Sequence, residues 1–314
     1  MPDALLAREK YVIRQLHQNY RVPDQPASFT EPVGPGLNSL FVLTVDGVQW
    51  IGRKLPTQSP DRMWHLSSII QPAMLLGPLT HVRYGDSGVT LHFITTAKHE
   101  KSIIFKRALQ RPESTLYFPY PALDSTGQEL VIHDQDWIFT ESFAKTLDAD
   151  ERHFRDYCTA LLQHSLRPGA VLLDPACSTG TFIASLARSL PHTCCIGADR
   201  SLSMIEQARA RHPDVQFYHR TAQETPYAVA DCDVLLLRFL NAEVLTRDAA
   251  HALLRLLLTH LKPGATAIVF GHTPVLPNVG YLADTLGLSL KSSLASRPGH
   301  IELFEFYVLQ LRGG

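Results

Sequence analysis

The fold is decided by a stretch that reads GAVLLDPACSTG at residues 169–180 and CCIGAD at residues 194–199. In order, these residues predict a buried strand, a tight turn of small residues, an apolar helical segment and a second strand that ends in a carboxylate. That order is typical of the first βαβ unit of a doubly wound nucleotide-binding fold, whose ligand lies across the carboxyl ends of the strands. Asp199 ends the second strand, where a carboxylate accepts hydrogen bonds from both hydroxyls of a ribose.

Outward from this unit, strand and helix patterns alternate to the end of the chain. The strands are expected at residues 170–174, 193–198, 215–219, 232–238, 265–271, 286–293 and 302–311. The helices between them are expected near residues 180–190, 201–211, 244–261 and 276–286. Because alternating β and α segments favour a parallel sheet covered on both faces, residues 141–314 are expected to form an α/β domain. Its sheet is predicted to be doubly wound, seven-stranded and mostly parallel, with the last strand antiparallel at one side.

Residues 1–140 have a different pattern and are expected to form a separate β-rich (α+β) domain. An amphipathic helix over residues 3–20 and a proline-rich connector over residues 21–38 precede three predicted hairpins. The hairpin strands are expected at residues 41–45 with 48–53, 82–84 with 89–94, and 116–120 with 129–133. The first pair flanks Asp46-Gly47, a strong type I′ turn signal. Helices over residues 143–147 and 149–166 then open the second domain, and the first domain is expected to cover the active site or to join a homodimer.

The composition of the 314 residues argues against several classes of partner. A formal net charge of −1 gives no basic surface for a nucleic-acid backbone or an anionic membrane. No apolar run approaches the about 20 residues of a membrane span, and no secretory signal opens the chain. The five cysteines form neither a regular framework nor a CxxC pair, and the histidines lack a metal-ligating spacing. We therefore expect a cytoplasmic protein with reduced thiols, no metal, no nucleic-acid partner and no membrane partner.

Five segments, in this order, resemble the motifs of the class I S-adenosylmethionine (SAM)-dependent methyltransferases. The turn of residues 174–180 resembles the first motif, GADRSLSMIEQA at residues 197–208 the second, and YHRTAQ at residues 218–223 the adenine-contacting segment. CDVLLLRFL at residues 232–240 resembles the fourth strand and its exit, and LKPGA at residues 261–265 the lead into the fifth strand. The resemblance covers roughly residues 145–314. It implies a Rossmann-like SAM-binding domain with SAM as cosubstrate.

The resemblance also implies roles for individual residues at the site. Asp174 is expected to contact the amino group of SAM or else to cap the following helix, and Asp199 is expected to bind the ribose. Of the three glycines of the first motif only Gly180 remains, because Ala176 and Ser178 replace the others. The backbone there approaches a ligand less freely, and Ser178 adds a hydroxyl near the amino-acid end of SAM. The expected cofactor-binding residues are Asp174, Ala176, Ser178, Gly180, Asp199, Arg200, Met204, Thr221, Ala222, Gln223 and Arg238.

Three residues after the fourth and fifth strands are candidates for catalysis. Arg238 stands at the exit of the fourth strand, where it pairs with the carboxylate of SAM, with a substrate acid, or with a neighbour such as Glu243. Asn241 faces the same region and is placed to orient an amine or a carbonyl. His272 lies in the loop that borders the acceptor pocket of this fold, as a general base or simply as an exposed histidine.

Aromatic residues of the N-terminal domain are a further set of candidates. They either hold the sulfonium of SAM by cation–π contact or pack in the core of their own domain. The residues considered are Tyr117, Tyr120 and Trp137.

The function predicted first is methyl transfer from SAM to a small molecule, as in natural-product biosynthesis, by direct SN2 displacement with release of S-adenosylhomocysteine (SAH). The first alternative is a cyclase of the same fold, in which the amine of SAM attacks its own γ-carbon. That reaction gives azetidine-2-carboxylate and methylthioadenosine (MTA). The altered turn of residues 175–178 and a large covering domain suit an enzyme that folds the methionine tail back. The second alternative is a SAM-binding protein without turnover.

Overall fold

The computed structural model describes residues 3–19, 22–55, 57–58, 64–65, 67–124, 126–131 and 151–311. Contacts between backbone positions group the chain into two units. The first unit comprises Met1–Leu130, Thr273–Val275 and Ser292–Glu305, and the second comprises Val131–His272, Leu276–Lys291 and Phe306–Gly314. The predicted domain boundary between residues 140 and 141 lies outside the described residues and stays a prediction, as does the helix over residues 143–147.

The described part of the first unit contains an antiparallel six-stranded sheet and two α-helices. The helices are α1 (Asp3–Asn19) and α2 (Lys98–Gln110). The strands of the sheet are β1 (Pro26–Glu31), β2 (Leu40–Val45), β3 (Val48–Arg53), β6 (Leu75–Gly85), β7 (Gly88–Ile94) and β8 (Thr115–Tyr117). The two-residue strands β4 (Thr57–Gln58) and β5 (Trp64–His65) pair with each other. Across the sheet the order is β1-β7-β6-β3-β2-β8, and neighbouring strands run antiparallel.

Turn chemistry accounts for the first two hairpins. Asp46 and Gly47 both have a left-handed backbone, with φ of 51° and 76°, as the predicted type I′ turn between β2 and β3 requires. The strands β6 and β7 also meet at a two-residue turn, because Gly85 pairs with Gly88. Both strands therefore extend further into the glycine-containing segment than predicted.

The third predicted hairpin is described only in part, because residues 132–133 of its second strand lie outside the described residues. In the described part, Leu123 bridges to Glu129, and the amide of Leu130 donates to the carbonyl of Ala122 at 2.8 Å. The first predicted strand contains β8, which pairs with the distant strand β2 and sets Leu116 opposite Leu43. Both leucines pack in one apolar cluster, which explains this pairing. Other elements of this unit were not predicted, namely β1 inside the proline-rich connector, the short pair β4 and β5, and the helix α2.

A buried ion network ties α1 to the sheet of the first unit. Arg53 at the end of β3 is fully buried, and its Nη1 and Nη2 donate to Oε2 and Oε1 of Glu9 at 2.8 and 2.7 Å. The Nε of Arg53 donates to Oε2 of Glu31 at 2.7 Å, and Arg8 pairs with the other oxygen of Glu31. Because every carboxylate in the network has a cationic partner, the cost of burying these charges is offset.

The second sheet has seven strands, and helices lie between most of them along the chain. The strands are β9 (Val171–Asp174), β10 (Cys194–Asp199), β11 (Gln216–His219), β12 (Val234–Leu237), β13 (Thr266–Phe270), β14 (Leu288–Ala295) and β15 (Phe304–Leu311). The helices are α3 (Arg152–Leu162), α4 (Thr181–Ser189), α5 (Leu202–Arg211), α6 (Pro226–Asp231), α7 (Arg247–Thr259) and α8 (Val279–Thr285). The strand order is β11-β10-β9-β12-β13-β15-β14.

Pairing in this sheet is parallel on one side and antiparallel on the other. The strands β11, β10, β9, β12 and β13 form four parallel pairs, and β15 runs antiparallel to β13. The α/β class predicted from the alternating pattern is confirmed. Over both sheets of the chain, however, strand pairing is mixed, because the sheet of the first unit is antiparallel. Because the central strands are parallel, the carboxyl ends of β9, β10 and β12 lie at one edge of the sheet.

An aromatic cluster packs α3 and α4 against the sheet of the second unit. Phe154 of α3 and Phe182 of α4 both contact the ring of Phe270 on β13, with centroid distances of 4.8 and 5.4 Å. The ring of Phe306 on β15 stacks on Phe270 at 5.3 Å. These contacts fix the start of α3 and the first turn of α4, which both contribute to the site described below.

Candidate functional site

The turn after β9 is held by backbone hydrogen bonds and contains two left-handed residues. The amide of Cys177 donates to the carbonyl of Ala198 on β10 at 2.8 Å, and the amide of Gly180 donates to the carbonyl of Cys177 at 2.9 Å. Ser178 and Gly180 have φ of 51° and 76°. A serine in this region is strained because its Cβ crowds the backbone. Ser178 thus adopts a backbone conformation that favours glycine, at a position where the first motif usually has glycine.

Gly180 is required by packing inside the protein. A Cβ at Gly180 would lie 2.5 Å from Cζ of Phe217, and a Cβ at Gly197 would lie 2.7 Å from Cδ1 of the same ring. Phe217 is buried on β11, so its ring occupies the space that these two glycines leave open. Gly180 and Gly197 therefore let the turn after β9 and the strand β10 pack closely against Phe217.

Asp199 ends β10 and links the turn after β9 to the start of α5. Its Oδ2 accepts a hydrogen bond from the amide of Ser178 and its Oδ1 accepts one from the amide of Ser201, each at 2.8 Å. Burial raises the pKa of Asp199 above the usual aspartate value, although these two hydrogen bonds act to lower it. An ionised carboxylate has about four lone-pair positions, so Asp199 retains acceptor capacity for the hydroxyls of a ligand.

Arg238 lies between two carboxylates beyond the end of β12. Its Nε donates to Oδ2 of Asp174 at 2.9 Å, and its Nη1 donates to Oε1 of Glu151. Asp174 is fully buried, and its Oδ1 also accepts a hydrogen bond from the amide of Ala176 at 3.2 Å. The guanidinium carbon of Arg238 lies 5.3 Å from the centroid of the Phe182 ring. Burial acts to lower the pKa of Arg238, but the charges of Glu151 and Asp174 outweigh it and the pKa is raised.

These contacts correct two expectations about the site. The ion pairs of Arg238 are with Glu151 and Asp174, and not with the sequence neighbour Glu243. Asp174 does not cap the following helix, because Gly180 occupies the N-cap position of α4. Glu151 was not among the residues predicted for the site, and it is 87 residues away from Arg238 in the chain. An arginine after an apolar strand indicates that a carboxylate lies nearby, but no local pattern indicates which one.

The segment predicted to contact adenine follows β11 directly. Thr221 is half-buried, Ala222 is buried and Gln223 is exposed. The amide of Thr221 donates to Oε2 of Glu224 at 2.8 Å, and this bond fixes a short 3-10 turn. The segment therefore presents one small apolar side chain and a fixed backbone at the edge of the sheet where β10 and β11 end.

The second motif places Met204 next to the turn after β9. Met204 is buried on α5, and its Sδ lies 3.7 Å from Oγ of Ser178. Arg200 is exposed, and its carbonyl lies 3.0 Å from Nε2 of His219. The structure therefore brings Ser178, Asp199 and Met204 together, while the side chain of Arg200 points to solvent.

Asn241 and His272 follow the neighbouring parallel strands β12 and β13. Both residues consequently lie at the sheet edge where β9 ends with Asp174. Asn241 is buried, with Nδ2 3.5 Å from the carbonyl of Ala242, and His272 is half-buried. Their catalytic roles stay predictions.

The aromatic candidates from the N-terminal region belong to the first unit. Tyr117 ends β8 and is partly exposed. Burial, followed by a hydrogen bond with Tyr84, raises the pKa of Tyr120, so this phenol stays protonated at neutral pH. Trp137 lies outside the described residues. Contact of any of the three with a sulfonium stays a prediction.

Comparison with known proteins decides the family. The family model of a methyltransferase domain matches residues 172–264, which begin at β9 and end at the glycine before β13. Over 279 residues the chain is 32% identical to isonocardicin synthase from Nocardia uniformis subsp. tsuyamanensis. This alignment covers 86% of the chain and 91% of that protein. The chain belongs to the class I SAM-dependent methyltransferases. It is accordingly a SAM-dependent enzyme, and SAM is its cosubstrate.

Solved structures of class I methyltransferases are similar to part of the chain. One is an O-methyltransferase family protein from Burkholderia thailandensis, with a TM-score of 0.43 and 15% identity, over 58% of this chain and 61% of that chain. Another is magnesium protoporphyrin IX methyltransferase from Synechocystis PCC 6803 with bound SAM, with a TM-score of 0.43 and 14% identity. The second similarity covers 55% of this chain and 85% of that chain.

The side chains at this class I methyltransferase site have the chemistry that SAM needs. The contacts of individual residues with SAM stay predictions. Asp199 is expected at the ribose hydroxyls and the buried Ala222 at the adenine. The amides of the turn at residues 176–180 and the carboxylate of Asp174 are expected at the methionine end. SAM supplies an electrophilic sulfonium whose three neighbouring carbons are open to a nucleophile.

The described residues contain few features that point to other chemistry. None of the described helices has the length and apolarity needed to cross a membrane. In the same ranges, no group of three or more His, Cys, Asp or Glu side chains is arranged to hold a metal ion. All five cysteines are free thiols, and Cys194 is exposed whereas the other four are buried. Burial, followed by the charges of Asp174 and Asp199, raises the pKa of Cys177, which argues against a nucleophilic thiolate there.

Proposed function

We propose that this enzyme consumes SAM by attack on the γ-carbon of the methionine chain, and that the nucleophile is the amine of the same SAM molecule. The products are azetidine-2-carboxylate and MTA. Methyl transfer to a small molecule, the function predicted first from the sequence, becomes the second candidate. A binding protein without turnover is set aside because the chain belongs to a family of enzymes.

The observation that carries the proposal is the ion pair between Asp174 and Arg238. From the family resemblance we expect the amino group of SAM beside Asp174, where an unpaired carboxylate would stabilise the charged ammonium form. Arg238 offsets the charge of that carboxylate through a 2.9 Å hydrogen bond from Nε, and its side chain is only 8% exposed. An ammonium beside this pair is less stabilised and loses its proton more readily. The neutral amine carries the lone pair that an SN2 attack requires.

The proposed reaction balances without a second substrate. The ammonium of SAM first gives one proton to solvent. The nitrogen then forms a bond to the γ-carbon, the bond between that carbon and sulfur breaks, and the electron pair of the broken bond leaves with MTA as a neutral thioether. The positive charge passes from sulfur to the ring nitrogen. Methyl transfer to a separate acceptor, in contrast, places no demand on the protonation of this amine.

The chain contributes binding, orientation and exclusion of water to this reaction. Closing a four-membered ring requires that the amine lie in line with the bond that breaks, so the methionine chain must be held folded. The strained turn at Ser178, the buried Asp174 and the buried Asn241 are the groups available at this end of the site. Asp199 and the segment at residues 221–223 would hold the adenosine, which leaves with MTA.

The range of the similarity to a known synthase supports the proposal. The relative named isonocardicin synthase aligns with 86% of the chain, and therefore with residues of both units. The methyltransferase-domain model matches only residues 172–264. This relative, which aligns with most of the chain, is thus named for a synthesis and not for a methylation. We infer that the role of the enzyme lies in natural-product biosynthesis.

The second candidate, methyl transfer to a small acceptor, is favoured by the match of residues 172–264 to a methyltransferase domain. In that case an acceptor lone pair displaces the sulfonium at the methyl carbon, and SAH leaves. Asn241 and His272 would then orient or deprotonate the acceptor, because they follow β12 and β13 at the carboxyl edge of the sheet.

The test is incubation of the purified full chain with SAM alone, followed by mass spectrometry of the products. The proposal predicts enzyme-dependent formation of MTA and azetidine-2-carboxylate in equal amounts. A boiled sample is the control for spontaneous breakdown, in which the carboxylate of SAM attacks the γ-carbon and gives MTA with homoserine lactone. The absence of enzyme-dependent MTA, together with SAH release when a metabolite extract is added, would replace the proposal by methyl transfer.

The remaining expectations about partners and location are also proposals. We propose a small-molecule substrate without nucleic-acid or membrane partners, a cytoplasmic location, and a homodimer formed through residues 1–140. The formal net charge of −1 supports the absence of a polyanionic partner. Light scattering after size-exclusion chromatography tests the dimer, and a mass near the 35.0 kDa of one chain would contradict it.

A further inference from the structure

We infer that Glu151 is a positioning residue that sets, through Arg238, the protonation state of the SAM amine. This inference rests on the proposed function, because it assigns a role to the charge of a residue that does not itself contact the reacting atoms. Glu151 belongs to none of the sequence motifs of the site, and it immediately precedes α3.

The geometry joins three charged groups in a row. Arg238 donates from Nε to Asp174 and from Nη1 to Glu151, so a single guanidinium bridges the two carboxylates. The side chains of Asp174, Arg238 and Glu151 are 0%, 8% and 12% exposed. Water therefore screens their mutual interactions poorly. The row contains one more carboxylate than guanidinium and carries a net negative charge.

The row is also held rigidly. The guanidinium of Arg238 lies over the ring of Phe182, which belongs to the aromatic cluster described above. The carbonyl of Glu151 accepts a hydrogen bond from the amide of Arg155 at 3.1 Å, so the backbone of Glu151 is part of the first turn of α3. A bridging arginine that is fixed on both sides keeps a constant distance from Asp174.

Arg238 and Glu151 act on the amine in opposite directions. The positive charge of Arg238 destabilises an ammonium beside Asp174 and lowers its pKa, while the negative charge of Glu151, one guanidinium further away, partly offsets this effect. An unperturbed α-amine has a pKa of about 8. A proton-transfer group works best when its pKa lies near the working pH. The balance between Arg238 and Glu151 thus keeps the amine protonated for binding yet ready to lose its proton.

Two buried thiols and one carboxylate near Asp174 keep their charge between neutral and mildly alkaline pH. Cys177 in the turn and Cys158 on α3 have pKa values raised by burial and then by the charge of Asp174, so both remain neutral thiols. Asp199 at the end of β10 has a raised pKa, again chiefly because of burial, but its titration belongs to the acidic range of carboxylates. These three groups therefore do not interfere with a titration of the amine between neutral and mildly alkaline pH.

The test measures the amine without turnover. SAH labelled with ¹³C at the α-carbon is bound to the full chain, and its ¹³C shift is followed by NMR from pH 6 to pH 10. Glu151→Gln keeps an oxygen for Arg238 and removes one negative charge, so the pKa of the bound amine should fall by roughly one pH unit. Glu151→Asp keeps the charge and should restore the pKa of the wild type.

The matched control is Glu206→Gln, which removes the same charge from an exposed position on α5 and should leave the amine pKa unchanged. The inference is overturned if Glu151→Gln leaves the amine pKa where it is in the wild type, or if Glu206→Gln shifts it equally. It is also overturned if Glu151→Asp gives the same shift as Glu151→Gln, because loss of shape and not of charge would then explain both.

A second readout separates this inference from the proposed function. If the wild type converts SAM alone to MTA, the pH at which its kcat is half-maximal should fall in Glu151→Gln together with the NMR pKa. If the wild type forms no MTA from SAM, the proposed function fails. The NMR titration with SAH still decides whether Glu151 controls the protonation of a bound amine.

Discussion

Oδ2 of Asp199 lies 2.8 Å from the amide nitrogen of Ser178, which links the carboxylate at the end of β10 to the turn at the end of β9. Its Oδ1 accepts the amide of Ser201 at the start of α5 at the same distance. One side chain therefore fixes both the turn expected at the methionine end of SAM and the helix that carries Met204. If Asp199 binds the ribose as expected, ribose binding and the positioning of the methionine chain are coupled through this one carboxylate.

Replacement of this carboxylate should weaken SAM binding severely. Asp199→Ala removes the acceptor expected for the ribose hydroxyls and leaves the amide of Ser178 without its partner. Hydrogen bonds to charged groups contribute about 1.5–3 kcal/mol each, so the loss should be at least about 100-fold in affinity. Isothermal titration calorimetry with SAM measures it, and Asp214→Ala, an exposed position, is the control. Unchanged affinity in Asp199→Ala would refute the placement of the ribose.

As the pH is lowered, SAM affinity should begin to fall at a higher pH than it would if Asp199 had the usual aspartate pKa. Burial raises the folded-state pKa of Asp199, and a raised carboxyl pKa means that protonation begins at a higher pH. The protonated form has lost its charge, so the acceptor for the ribose weakens as the pH drops through this pKa. The midpoint of the decline should lie above about 4, the usual value for aspartate. Asp199→Asn should remove this dependence, and a midpoint at or below the usual value would contradict it.

Gly180→Ala should destabilise the second unit, because the new methyl group would clash with the ring of Phe217. The new Cβ would lie 2.5 Å from Cζ of Phe217, and the backbone has φ of 76°. The left-handed conformation costs an L-residue about 1–2 kcal/mol, and overpacking adds about 1–3 kcal/mol. Gly264→Ala is a matched control, because Gly264 has φ of 81° and no atom within 4 Å of the new Cβ. Equal losses of unfolding free energy in urea for the two variants would show that Phe217 plays no part.

The ion network of the first unit should be a larger contributor to stability than exposed ion pairs. Arg53→Met leaves the buried carboxylates of Glu9 and Glu31 without their bridging cation, and breaking a buried pair in this way costs about 3–5 kcal/mol. Arg107→Met is the control, because Arg107 is 49% exposed and pairs with Asp46 at 3.4 Å. Exposed pairs contribute about 0–1 kcal/mol. Urea unfolding of both variants measures the difference, and a comparable loss in the two would contradict the account.

Much of the second unit could be predicted from the sequence, because its signals are local. The apolar run of residues 234–237 lies fully buried as β12, and Asp199 stands at the end of its strand as expected. In the first unit the hairpins β2–β3 and β6–β7 could also be predicted from their turns, but the pairing of β8 could not be predicted from neighbouring residues. Leu116 belongs to β8 because it packs near Leu43, and no turn signal announces that pairing.

The candidate site shows the same division between local and distant signals. The turn at residues 174–180 and the segment at residues 221–223 could be found because each motif is contiguous. The partner of Arg238 could not be found, since Glu151 is brought to it by the packing of α3 on the aromatic cluster. A guanidinium buried after an apolar strand requires a carboxylate, and only the three-dimensional structure identifies it.

The measurement that tests the central claim most directly follows the methyl group of SAM. The full chain is incubated with SAM that carries a trideuterated S-methyl group, with no other substrate, and the products are weighed by mass spectrometry. Attack at the γ-carbon predicts MTA that retains all three deuterium atoms, accompanied by an equal amount of unlabelled azetidine-2-carboxylate. A second incubation adds a metabolite extract as a source of acceptors. Release of unlabelled SAH there, with the deuterium recovered in an acceptor and with no MTA formed from SAM alone, would contradict the account and assign methyl transfer to this enzyme.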